Sequence, residues 1–201
     1  MYSSSTAQKP KVAHHYDTFT ILLHWTTAAL VVFLWVLASP DIPMAGGVNV
    51  IDLFPRGQPR IVVRSLHITL GVVLIAVLLV RLSWRVTSGQ KLPPADQGLR
   101  GAAAKYVHYA LYAVLATTLV LGLANVWARG DSIFGLFKIP AFAPNDRALS
   151  ETVGDLHRWA ANSLLGVAGM HALAALFHHY VSRDGVLRRM LPARRIESEL
   201  P

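Results

Sequence analysis

Polar residues withdraw from the chain in four stretches, about Thr18 to Ala38, Leu66 to Trp84, Tyr106 to Trp127 and His157 to Val181. Each is near the ~20 residues that a helix rising about 1.5 Å per residue needs to cross a hydrocarbon core of roughly 30 Å. Backbone amides find no water at that depth, so a spanning run of this kind must satisfy its own hydrogen bonds as a helix. The pattern predicts an all-α integral membrane four-helix bundle. The stretches are joined by a Pro/Gly-bearing loop from Ser39 to Arg64, a shorter loop from Arg85 to Lys105, and a third from Ala128 to Leu156, long enough for a short interfacial helix. No repeat of 20 to 50 residues interrupts this organisation. The expected layout is a polar N-terminal segment at 1–15, one membrane domain at 16–192 and a tail at 193–201. Met1 to His15 has no apolar core like that of a signal peptide, so the segment is expected to stay on the chain.

Charge fixes the expected orientation. Of the 19 Lys and Arg residues, 12 fall in the N-terminal segment, the second loop with its flanks, and the tail, whereas seven fall on the opposite side. Positive residues are retained on the cytoplasmic face, so both termini are expected there. Trp25, Trp84, Trp127 and Trp159 lie near the ends of the stretches, where interfacial aromatic anchors belong.

Composition agrees with lipid as the solvent: 53% of residues are hydrophobic and only 15% charged, against roughly a quarter charged in soluble domains. The net charge of +8 gathers at the ends of apolar segments, where it meets anionic headgroups, so membrane lipids and no nucleic acid are the expected partners. Cysteine is absent, which removes disulfides, thiolate metal sites, iron–sulfur clusters and covalent c-type haem attachment. Redox chemistry in this chain requires a borrowed cofactor.

Histidine supplies the means to hold one. His24, His67, His108, His157 and His171 lie in or at the ends of the apolar stretches, where an ionisable side chain is costly. His157 and His171 are separated by 14 positions, nearly the same helix face and roughly 21 Å along the axis. That suits two cofactors at different depths and excludes both histidines gripping one ion. With the N-terminus inside, His157 and His67 each open a helix at the outer side, so topology pairs them. His171 lies in the inner half. His24, about two turns into the first stretch, meets it better than His108, which is read as lying one turn inside the third. A neutral imidazole gives one nitrogen to iron and its other N–H to a carbonyl or hydroxyl, so two bis-histidine b-type haems fit the constellation. Zinc fits less well: two ligands at each depth leave a tetrahedral site half filled, and no acidic residue lies within the stretches. Gly71, Gly122, Gly166 and Gly169 make room either for a flat macrocycle or for ordinary close helix packing. His178, about 10 Å beyond His171 on the same face, is placed to bind a quinone oxygen or a haem propionate, or to be solvated at the interface. His179 points elsewhere. Arg81 either neutralises a propionate or snorkels to the headgroups.

Leu23-His24-Trp25, Leu66-His67, Asp155-Leu156-His157 and the run from Met170-His171 to His178-His179-Tyr180 together resemble the bacterial cytochrome b561 family, as do Ala128-Arg129-Gly130-Asp131 and the following Ile139-Pro140. The likeness extends from about Tyr16 to Pro192. It implies a di-haem b cytochrome of the bacterial inner membrane that exchanges electrons with the quinone pool. In that family the matching ligands are His24 and His171 for the inner haem, and His67 and His157 for the outer one. The likeness also implies a superoxide:ubiquinone oxidoreductase, oxidising superoxide outside and reducing ubiquinone, with His178 at a quinone-associated position. Arg64 and Arg158 flank the outer pair and would attract an anion, or serve topology and propionates instead. The alternative is a haem-bearing membrane anchor for a peripheral dehydrogenase or hydrogenase partner. A channel, transporter or scaffold without cofactor would be colourless.

Overall fold

The computed structural model describes residues 15–39, 59–93 and 98–192. Most of the expected N-terminal segment, residues 40–58 of the first loop and the tail at 193–201 lie outside the described residues. The described residues form four helices long and apolar enough to cross a membrane: α1 (Thr18–Ala38), α2 (Pro59–Thr87), α3 (Gly98–Arg129) and α4 (Arg147–Phe177). The all-α four-helix bundle expected from the hydropathy pattern is therefore observed.

α1 has the expected bounds because a cap starts it. Asp17 accepts from the Thr20 amide at 2.8 Å and from the Thr20 hydroxyl at 2.6 Å, satisfying an orphan donor of the first turn. The other three helices begin well before their apolar stretches. Proline opens α2, where a missing N–H costs nothing, and Asp146 caps α4 by accepting from the Leu149 amide at 2.8 Å. These earlier starts move the histidines. His67 and His157 do not open their helices; they lie about two and nearly three turns inside, and His108 is likewise nearly three turns inside α3.

No interfacial helix separates α3 from α4. Two short antiparallel strands do, β1 (Ser132–Ile133) and β2 (Phe137–Lys138), in the register Ser132 to Lys138 and Ile133 to Phe137. The fully buried Ser65 of α2 accepts from the Phe134 amide at 2.7 Å and pins this hairpin over the start of α2. Gly130 enters it at φ +64°, and a Cβ there would lie 2.9 Å from the Ala141 side chain, so both backbone and space demand glycine.

α1 packs along α2 and α3 along α4, while direct contact between these two helical hairpins is sparse. They meet through a knot of buried leucines drawn from all four helices: Leu34, Leu74, Leu78, Leu115 and Leu164. Phe33, Leu79, Val120 and Leu173 stay exposed, the expected arrangement where the outer solvent is as apolar as the side chains. The start of α1 and the ends of α2 and α4 share one end of the bundle, here the terminal end. A 3₁₀ turn at Leu187–Met190 crosses it: the Tyr16 amide donates to the Arg189 carbonyl at 3.0 Å, Trp25 Nε1 to Met190 at 2.8 Å, and Arg189 to the Pro93 carbonyl at 2.7 Å. β1 and β2 cover the opposite, hairpin end.

Candidate cofactor site

The intramembrane histidines divide between the two helical hairpins, His24 and His67 on one, His108, His157 and His171 on the other. All five are half-buried. His67 faces His157 with ring centroids 6.2 Å apart and planes at 90°. His24 faces His171 at 6.4 Å and 69°. Two imidazoles gripping one metal through bonds of about 2 Å have centroids roughly 6 Å apart, so both separations fit axial ligation of a single iron. Among the described residues no three His, Asp or Glu side chains converge to hold one ion.

In the His67–His157 pair the second ring nitrogens are engaged as metal-binding histidines require. His67 Nδ1–H donates to the Leu34 carbonyl at 3.1 Å, and His157 Nδ1–H to the Thr118 carbonyl at 3.0 Å. Both leave Nε2 for the opposing partner. His157 reaches its carbonyl across Gly122, one turn further along α3. A Cβ on Gly122 would stand 3.1 Å from His157 Cε1 and 3.4 Å from Nδ1, so the glycine seats the ring. The sequence marked Gly122 only as a spacer. A Cβ on Gly71, Gly166 or Gly169 would meet no protein atom within 4 Å; those positions leave width beside the histidine pairs, as a flat macrocycle needs.

The terminal-end cluster is more crowded. His108 lies 5.1 Å from His171, closer than His24 does. His108 is not, as expected, one turn inside its helix, because α3 begins at Gly98 rather than near Tyr106, and it stands at the level of His171. Its Nδ1–H donates to the Ala104 carbonyl at 2.6 Å. His24 differs: its Nδ1 accepts from Arg81 Nη2 at 2.9 Å. The Arg81 guanidinium also lies 5.5 Å from the Tyr112 ring centroid and lines a cavity of about 190 Å³ at the terminal end with Arg85, Lys91, Tyr16, Gln90 and Tyr112. A carboxylate entering that cavity would meet three cations.

Other expected residues are placed as follows. Arg64 pairs with Asp131 at 2.5 Å and Arg158 with Asp155 at 2.9 Å, so neither guanidinium beside the His67–His157 pair lacks a carboxylate. His178 begins a π-helical turn, His178–Ser182, and pairs with Asp184. Asp184 carried no helical-spacing signal; only the turn-forming Asp-Gly at 184–185 hinted at a chain reversal.

The two halves of this membrane helix bundle face each other through two imidazole pairs, in which His67 and His157 are orientated by backbone carbonyls and His24 by Arg81, the make-up expected of a b-type cytochrome. The chain belongs to the prokaryotic cytochrome b561 family: that family's model matches residues 15–193. It is a membrane electron-transfer protein, and the family implies b-type haem. It is similar to cytochrome b561 homolog 2 of Escherichia coli K12, at 30% identity over 88% of this chain and 90% of that protein. It is also similar to the probable superoxide oxidase CybB of Yersinia pestis, 28% identical over 90% and 97%. Cytochrome b562 of Cereibacter sphaeroides is 28% identical over 89% and 96%.

Proposed function

We propose that the protein carries two b haems, one between His67 and His157 and one between His24 and His171, and passes electrons across the bacterial inner membrane to ubiquinone. The observation that carries this reading is the pair of 6.2 and 6.4 Å centroid separations at two depths. The positive-inside bias puts both termini, and hence the His24–His171 pair, on the cytoplasmic side. Haem iron, when bound, supplies reversible one-electron chemistry. The chain's residues do the rest. Carbonyls of Leu34 and Thr118 turn Nε2 of His67 and His157 inward, Arg81 would pass from His24 Nδ1 to a propionate of the inner haem, freeing His24 to carry its proton on Nδ1 and present Nε2 to iron, and the apolar helix faces exclude water.

Superoxide is the proposed donor at the periplasmic pair, supported by the name of the Yersinia relative. Because Arg64 and Arg158 are both charge-paired, attraction of the anion rests on the summed field and not on a free cation. Two superoxide anions release two electrons as dioxygen forms, and ubiquinone takes both with two protons near His178. Purification in detergent with a pyridine haemochrome assay is expected to give two haems b per chain, and superoxide-dependent ubiquinone reduction by the protein alone. Two haems without such turnover would favour an anchor awaiting a peripheral redox partner; a colourless protein after haem-supplemented expression would sink the reading.

A further inference from the structure

The last turn of α4 departs from α-geometry. At His178–Ser182 the helix widens into a π-turn, a feature concentrated at functional positions. Arg183 then turns the chain at φ +53° and Gly185 at φ +76°, a reversal that brings Asp184 back beneath the helix end. Four bonds fix the result. The amides of Arg183 and Asp184 both donate to the His178 carbonyl, the latter at 3.4 Å. His178 Nδ1–H donates to Asp184 Oδ2. The second carboxylate oxygen, Oδ1, accepts from the Val186 amide at 3.1 Å. Both oxygens of Asp184 are thus assigned, and the imidazole has one nitrogen held and one, Nε2, left for a ligand. Burial works to raise the Asp184 pKa, but the bonds from His178 and the Val186 amide outweigh it and hold the carboxyl below its ordinary value.

We propose that Asp184 is a positioning residue for quinone reduction, holding His178 so that Nε2 donates protons to the quinone oxygen while the carboxylate stabilises the imidazolium. The inference rests on the reading that His178 meets the quinone. An Asp–His pair of this form fixes the ring's tautomer and orientation and offsets its positive charge. Each proton leaves Nε2–H for a quinone oxygen as the N–H bond breaks and the O–H bond forms. The electrons arrive from reduced haem, and water at the cytoplasmic surface reprotonates the ring. Two such transfers with two electrons complete the quinol.

The experiment compares haem-loaded full-length protein with the variants Asp184→Asn, Asp184→Glu and His178→Ala. Haem content and steady-state ubiquinone-1 reduction are measured, the latter with kcat and KM separated. Asp184→Asn keeps an oxygen for Nδ1–H but loses the charge; kcat is expected to fall about tenfold to a hundredfold, with KM within about twofold and haem content unchanged. Asp184→Glu should recover most of the loss. Wild-type kcat in Asp184→Asn alongside a slowed His178→Ala would overturn the role of Asp184 alone. Wild-type rates in both would overturn the placement of quinone at His178 as well. Loss of haem in Asp184→Asn, or no recovery in Asp184→Glu, would reduce the aspartate to a structural cap.

Discussion

One missing methyl group decides how His157 sits. Its ring lies against Gly122 and reaches the Thr118 carbonyl over it, so Gly122→Ala would force a Cβ into the 3.1 Å contact with Cε1. Overpacking of this kind costs about 1–3 kcal/mol, and the ring is the movable partner. The expected outcome is a fall from two haems per chain towards one, or a shifted potential confined to one haem, read by haemochrome assay and redox titration; two unperturbed haems would show that the seat is not needed. The terminal-end cluster calls for a different test. His24 and His108 both approach His171, at 6.4 and 5.1 Å, and only the longer separation suits two ligands on one iron. His108→Ala is therefore expected to keep both haems and His24→Ala to lose one. The reverse result would transfer the ligand role to His108. Which histidines the fold brings together was largely legible in the sequence, because histidine within an apolar stretch is rare and costly. Which of them pair at the crowded end was not, since that depends on a helix start that hydropathy does not mark.

Helix starts are also where sequence and structure part. An apolar window detects the part of a helix that must sit in hydrocarbon, not the part that continues into the headgroups. α4 begins at Arg147, capped by Asp146 and supported by an Arg147–Glu151 pair at 2.8 Å, signals that are visible in the sequence but polar. α1 differs because its cap adjoins its apolar run. Asp17 is more than a cap: it also accepts from Trp84 Nε1 at 3.1 Å and from the Gln90 amide at 3.1 Å, tying the start of α1 to the end of α2 and the segment beyond. Burial acts to raise its pKa, but the Thr20, Gln90 and Trp84 bonds prevail and lower it from 3.8 to about 2. A depressed carboxyl stabilises the fold above its unfolded value and loses that contribution as pH falls through its folded value. Asp17→Ala should thus lower stability by about 1 kcal/mol or more at neutral pH. The gap from wild type should close between the unfolded pKa of 3.8 and about 2. Thermal unfolding in detergent across that range measures it, and a gap that persists at the acid end would assign the effect to packing.

At the scale of the molecule, the sparse contact between the α1–α2 and α3–α4 hairpins changes what a cofactor would do. Besides the leucine knot and the facing histidines, the hairpins are linked by a few polar contacts: Trp35 Nε1 donating to Asn162 Oδ1 at 3.0 Å, Arg81 over Tyr112, and the Ser65, Arg64 and Trp25 contacts at the two ends of the bundle. In lipid there is no hydrophobic force to press helices together, so ligand bonds spanning the gap would carry much of the association. Each proposed iron would take one ligand from each hairpin, so haem binding and hairpin docking are one equilibrium. A ligand bound only by the assembled form stabilises it by RT ln(1 + [L]/Kd), about 4 kcal/mol when free haem exceeds Kd a thousandfold. Haem-depleted protein should therefore unfold at a markedly lower temperature and be cleaved by protease faster in the segment 88–93 that follows α2, where the chain leaves one hairpin for the other. His67→Ala, which removes one ligand at the hairpin end, should fall between the two. Equal stability with and without haem would mean that the protein's own contacts suffice to hold the halves together and that haem ligation by the histidine pairs adds nothing to assembly.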